Sequence, residues 1–71
     1  ILDSSIKTLG SIIRKVRKEQ GLTQQQLASV CGVGVRFLRE VELGKETSQI
    51  GLVIRVVSML GLQIKIGDVQ L

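Results

Sequence analysis

The chain contains no histidine, proline, tryptophan or tyrosine, and only one cysteine, one methionine and one phenylalanine. Without histidine, and with Cys31 alone, it lacks the residues of nucleophile–base triads, of imidazole acid–base catalysis and of a structural zinc site. One cysteine forms no internal disulfide, and its free thiol fits a reducing compartment. The six carboxylates are scattered, and neither GxGxxG nor GxxxxGK[ST] occurs. No apolar run approaches the ~20 residues of a membrane-spanning helix. No secretory leader precedes the first helical pattern, although a chain that begins at Ile1 is open to having lost its true start. The sequence thus holds no catalytic constellation and points to no enzyme, metal, cofactor or membrane. The expected location is the cytoplasm of a bacterium, at the nucleoid.

What the chain does have is 71 residues, enough for one domain over 1–71, and an excess of ten Lys/Arg over six Asp/Glu. Apolar residues make up 44% and charged ones 23%, which excludes a disordered tail. Domains of about 60 residues bury only ~60% of their unfolded surface and usually need disulfides, a metal or a partner chain. The first two are missing here, which leaves oligomerisation. The net charge of +4 favours a polyanionic partner.

With no proline, glycine punctuates the chain. Residues 1–7 read as an arm. From about Thr8, Leu9, Ile12, Ile13 and Val16 form one helical stripe, with Arg14, Lys15, Arg17 and Lys18 largely off it, and Gly21 ends the helix. Thr23 and Gln26 form a capping box for a second helix, about Gln24 to Cys31, which buries Leu27, Ala28 and Cys31. Gly32 makes a sharp turn plugged by Val33. A third helix from about Val35 to Leu43 turns Leu38 and Val41 inward and stops at Gly44. Thr47 or Ser48 caps a fourth helix that runs to about Leu60 and closes at Gly61.

The fourth helix is apolar nearly all round. Ile50, Val53, Ile54 and Val57 make one stripe, while Leu52, Val56, Met59 and Leu60 occupy other faces. A helix of this kind is buried on more than one side. It is either a core helix or, as the small size of the chain favours, an interface helix. Leu62 to Ile66 then alternate with period two, as a half-buried strand does. Apart from a possible short return at Val69–Leu71, no partner strand exists, and an unpaired apolar strand needs cover. Both features point to a symmetric homodimer in which residues 62–71 pair across chains. Leu52, Val56, Met59, Leu62, Ile64 and Ile66 are the expected interface.

Two short helices joined by a tight glycine turn, after a basic helix, have the form of a helix-turn-helix. Gly21-Leu22-Thr23-Gln24 with Leu27-Ala28, then Gly32-Val33, Leu38, Val41-Glu42 and Gly44-Lys45, resembles the Cro/XRE family of phage-repressor-type regulators over about residues 8–61. The resemblance implies a mostly α, lambda-repressor-like fold of four helices plus a C-terminal strand pairing across the dimer. It also implies that Gln24 grips the DNA backbone, where helix N–H groups favour a phosphate. Gly34, Val35, Arg36 and Arg39 then face the major groove. Arginine reads guanine through O6 and N7, and Val35 suits a thymine methyl. Lys45 suits a phosphate. Family members often join the residues matching Arg17 and Glu42 in a salt bridge, so Arg17 is as readily structural as phosphate-binding. Arg14 and Lys18 read as solvated charges.

Three positions depart from the family pattern or stand apart from it. Gly34 takes a cap position where Ser or Thr is common. Glu40 stands on the helix meant for DNA and either accepts from a cytosine amino group or points away. Phe37 reads as partly buried. The stretch from Arg36 to Lys45, followed by a buried helix and LGLQIKI, resembles HipB-like antitoxins. These pair C-terminal strands across the dimer, bind operator DNA upstream of their own operon and restrain a HipA-type kinase toxin. The expected function is that of a repressor of its own toxin–antitoxin operon. The alternatives are a protein-interaction module in which the antitoxin role dominates, and a stand-alone phage- or restriction-type repressor without a toxin.

Overall fold

The computed structural model describes residues 2–71, and the side chains of residues 5–71. Four helices, α1 (Leu2–Glu19), α2 (Gln24–Cys31), α3 (Val35–Glu42) and α4 (Ile50–Met59), precede a two-stranded ribbon of β1 (Lys65–Ile66) and β2 (Val69–Gln70). The mostly helical, four-helix architecture expected from the sequence is present.

Residues 2–7 form no arm. They are the first turns of α1, and Ile1 lies outside the described residues. The apolar stripe reaches back through half-buried Ile6, which lines a small cavity with Leu9, Val41 and Val53. At Gly10 the helix meets α3 so closely that an added Cβ would stand 2.4 Å from the Val41 carbonyl oxygen. Gly10 therefore interrupts the apolar stripe in the sequence and fixes the α1–α3 contact in space.

The capping box of α2 forms as expected. Gln26 N–H donates to Thr23 Oγ1 at 3.1 Å, and Thr23 N–H donates to Gln26 Oε1 at 2.9 Å. Gly32, at φ 71°, adopts the left-handed conformation that closes α2, and α3 begins after Gly34, which supplies no side-chain cap. The cap of α4 differs from expectation. Gln49 holds the N-cap position without a side-chain bond, because the Ser48 hydroxyl donates instead to the Lys45 carbonyl at 3.0 Å.

Ile13, Leu27, Leu38 and Val56 are fully buried, with Ala28, Cys31, Val41, Val53, Val57 and Leu60 around them. This corrects the reading of α4 at Val56. It is 0% exposed inside its own chain and has no surface for a partner. The all-round apolar pattern of α4 arises because α4 supplies much of the core of a small domain. Leu52 is half-buried, whereas Met59 is 48% exposed.

The C-terminal strand also differs from expectation. Its paired part is only Lys65–Ile66, and it pairs within the chain, antiparallel to β2, with Lys65 opposite Gln70 and Ile66 opposite Val69. The Gly67-Asp68 turn allows this. Gly67 has φ 62°, and glycine at the first of two loop residues suits a tight hairpin. Leu71 N–H adds a bond to the Ile64 carbonyl at 2.9 Å. Leu62 and Ile64 pack half-buried against the core, while Ile66, Val69 and Leu71 stay exposed.

Candidate nucleic-acid interface

Arg17 and Glu42 hold the centre of the site. Arg17 Nε donates to Glu42 Oε2 at 2.7 Å and Nη2 to Oε1 at 3.1 Å, both groups being buried. The remaining Arg17 nitrogen, Nη1, donates to the Leu22 carbonyl at 2.7 Å. Each nitrogen of the guanidinium thus donates inside the protein, although Arg17 also borders the cleft described below. A paired geometry of this kind offsets the large cost of removing both charges from water.

The same carboxylate reaches α2. Gln24 Nε2 donates to Glu42 Oε1 at 3.1 Å. Glu42 therefore ties α1, the start of α2 and α3 together, and it fixes the side chain from which a backbone contact was expected. The capping box uses the N–H groups of Thr23 and Gln26. Those of Gln24 and Gln25, in the first turn of α2, have no helical carbonyl to bond.

Beside them lies an open cleft walled by Arg14, Lys18, Leu22, Thr23, Gln24, Gln25, Val35 and Arg39. Arg14, Lys18 and Arg39 enter no ion pair among the described residues. Three cations thus converge beside a helix N-terminus, an arrangement that suits an anion. Arg14 and Lys18, expected as solvated charges, are exposed and line this cleft. Their i,i+4 spacing places them on one side of α1 near its end.

The outer face of α3 carries Arg36, Arg39, Glu40 and Leu43, with Val35 half-buried at its edge. The two arginines diverge. Arg39 faces the cleft, whereas Arg36 Nε lies 3.7 Å from Glu40 Oε2, one turn along. Lys45 donates from Nζ to Glu40 Oε1 at 3.2 Å. Gly34 has open space around it, since nothing lies within 4 Å of an added Cβ. Phe37 is half-buried against the core.

Cys31 has no part in this surface. It is buried under α4, burial pushes its thiol above the usual range, and nearby Arg55 only partly opposes that effect. Among the described residues no cluster of three potential ligands could hold a metal, and no helix is long and apolar enough to cross a membrane.

Three basic side chains at the foot of a short exposed helix, itself set by a glycine turn on a capped partner, are what a helix-turn-helix presents. The helix-turn-helix family model matches residues 13–66. The chain belongs to the helix-turn-helix family, of Cro/XRE type. Over 58 residues it is 52% identical to the HTH-type transcriptional regulator y4mF of Sinorhizobium fredii, an alignment that covers 82% of this chain and 76% of that protein. Within this helix-turn-helix, α2 and α3 are the two helices of the motif, and α1 adds Arg14 and Lys18 to the same face.

Proposed function

We propose that the chain is a transcriptional repressor that binds operator DNA sequence-specifically as a homodimer and acts by occupying the promoter. The observation that carries this reading is the cluster of Arg14, Lys18 and Arg39 at the cleft, with a further arginine, Arg36, exposed on the outside of α3. In this reading α3 enters the major groove, with Val35, Arg36 and Arg39 on base edges and Gly34 letting the backbone approach. Gln24, Lys45, Arg14 and Lys18 hold phosphates and set the register.

Selecting duplexes from a random pool with the purified chain tests this directly. An enriched half-site motif is expected, and a pool that stays random excludes the function. Arg36→Ala or Arg39→Ala should then each lose about 1–3 kcal/mol on the enriched duplex and much less on a scrambled one. Equal losses on both duplexes would make the arginine a phosphate contact.

A dimer places two recognition helices about 34–36 Å apart, on successive major grooves. Exposed Met59, Ile66, Val69 and Leu71 are the apolar groups available for its interface. Leu62 and Ile64 pack on the chain's own core and are left in place. The double variant Met59→Glu, Ile66→Glu should keep its helical spectrum, sediment as a monomer and bind the selected duplex at least tenfold more weakly. A variant that remains dimeric places the interface elsewhere.

The resemblance to HipB-like antitoxins extends the proposal to a HipA-type kinase toxin as second partner, bound and restrained by the same dimer. A stand-alone repressor is the second reading. It is favoured by the hairpin, because β1 already has a partner strand within its own chain. Purification of the chain from its own host separates the two. A stoichiometric kinase-like protein identifies the antitoxin, and a bare homodimer identifies the stand-alone repressor.

A further inference from the structure

Of the two carboxylates on α3, Glu42 is turned into the core and Glu40 lies on the outer face. Among the groups proposed to meet a polyanion, a negative charge calls for a reason. Fold stability does not supply it, because ion pairs this exposed contribute little. Its partners are more informative. Glu40 Oε1 accepts from Lys45 Nζ at 3.2 Å, and Oε2 stands 3.7 Å from Arg36 Nε. One carboxylate thus bonds the phosphate-directed lysine and stands at ion-pair distance from the base-directed arginine of the same surface.

The contact with Arg36 is on one side of the guanidinium only. The carboxylate attracts the guanidinium from its Nε side without a hydrogen bond, and the two Nη groups, the pair able to bond guanine O6 and N7 together, stay unengaged at the far end. On non-cognate DNA the same carboxylate has the opposite effect. There Arg36 and Lys45 have only phosphates to bind, and Glu40 both competes for them and repels the backbone.

We propose that Glu40 is a positioning residue that sets DNA specificity, aiming Arg36 at a guanine on the cognate site and penalising attachment to phosphates elsewhere. The proposal rests on the DNA-binding reading above.

Binding of the wild-type chain, Glu40→Gln and Glu40→Asp to a duplex selected by the wild type, and to a scrambled duplex of equal composition, tests it across a salt series. Glu40→Gln should bind the scrambled duplex about three- to tenfold more tightly, with a steeper salt dependence, and gain little or lose on the selected one. The specificity ratio should fall by about the same factor. Glu40→Asp keeps the charge but lacks the reach to Arg36. It should match the wild type on scrambled DNA and bind the selected duplex more weakly. Thermal melting by circular dichroism checks that the variants are folded. Equal tightening of Glu40→Gln on both duplexes, or no change on either, overturns the proposal. So does a wild-type preference that survives 7-deazaguanine at the selected pair but is lost with N4-dimethylcytosine there, since Glu40 would then read a base itself. A wild-type chain that selects no duplex overturns the DNA-binding reading, and this inference with it.

Discussion

Glu42→Ala should remove about a third or more of the stability of the fold at 25 °C. The Glu42 carboxylate accepts from Arg17 Nε, Arg17 Nη2 and Gln24 Nε2, and both charged residues are buried. Removing it strands a guanidinium in the interior, with only the Leu22 carbonyl left to it. Breaking one side of a buried ion pair costs about 3–5 kcal/mol. A domain of this length has a total stability of only about 4–10 kcal/mol. The urea midpoint is the measurement, and a fall of less than a quarter would show that solvent reaches the pair.

The double variant Arg17→Met, Glu42→Leu separates stability from function. Apolar replacement of a whole buried pair is often neutral or stabilising, so much of the lost stability should return. Gln24 nonetheless loses the acceptor that holds it, so affinity for the selected duplex should stay below that of the wild type. If refolding also restored full affinity, the Glu42–Gln24 bond would have no part in DNA binding.

The parts of this architecture legible in the sequence are those fixed by local chemistry. Thr23 and Gln26 mark the start of α2 because a capping box needs only residues three apart. Gly21, Gly32, Gly44 and Gly61, with φ from 71° to 88°, mark helix ends because other residues rarely take that conformation. The Arg17–Glu42 pair was legible through the family resemblance, and the structure gives it the bonds described. Other features depend on tertiary placement. Val56 looks like a residue for a partner until the buried residues of the other helices complete the core around it. Arg14 and Lys18 come to line the cleft with Thr23 and Gln24 only when α1 is folded back beside the start of α2. The strand at Leu62–Ile66 shows alternation over five residues, yet the pairing stops after two. Half of the alternation records packing of Leu62 and Ile64 on the helices.

Gly10 is the case where a local rule points the wrong way, and it yields the clearest stability test. Within an exposed helix, Gly→Ala stabilises by about 0.8–1 kcal/mol. At Gly10 the new methyl group would stand 2.4 Å from the Val41 carbonyl oxygen and 2.8 Å from that of Glu42. These are backbone atoms and have no rotamer to escape into, so α1 must move away from α3. Overpacking of this kind typically costs about 1–3 kcal/mol. The displacement is also carried two turns along α1 to Arg17, whose pairing with Glu42 depends on the distance between the helices. Gly10→Ala should therefore destabilise by about 2–4 kcal/mol in spite of its better helix propensity. At about 4–8 °C per kcal/mol for a domain of this size, Tm should fall by more than about 8 °C. Gly51→Ala is the internal control. Gly51 also lies within a helix, but nothing lies within 4 Å of its added Cβ, so Tm should hold or rise by a few degrees. Opposite signs for the same substitution in two helices would tie the effect at Gly10 to the α1–α3 contact. A rise in Tm at both positions would mean that the two helices stand farther apart than the 2.4 Å approach requires.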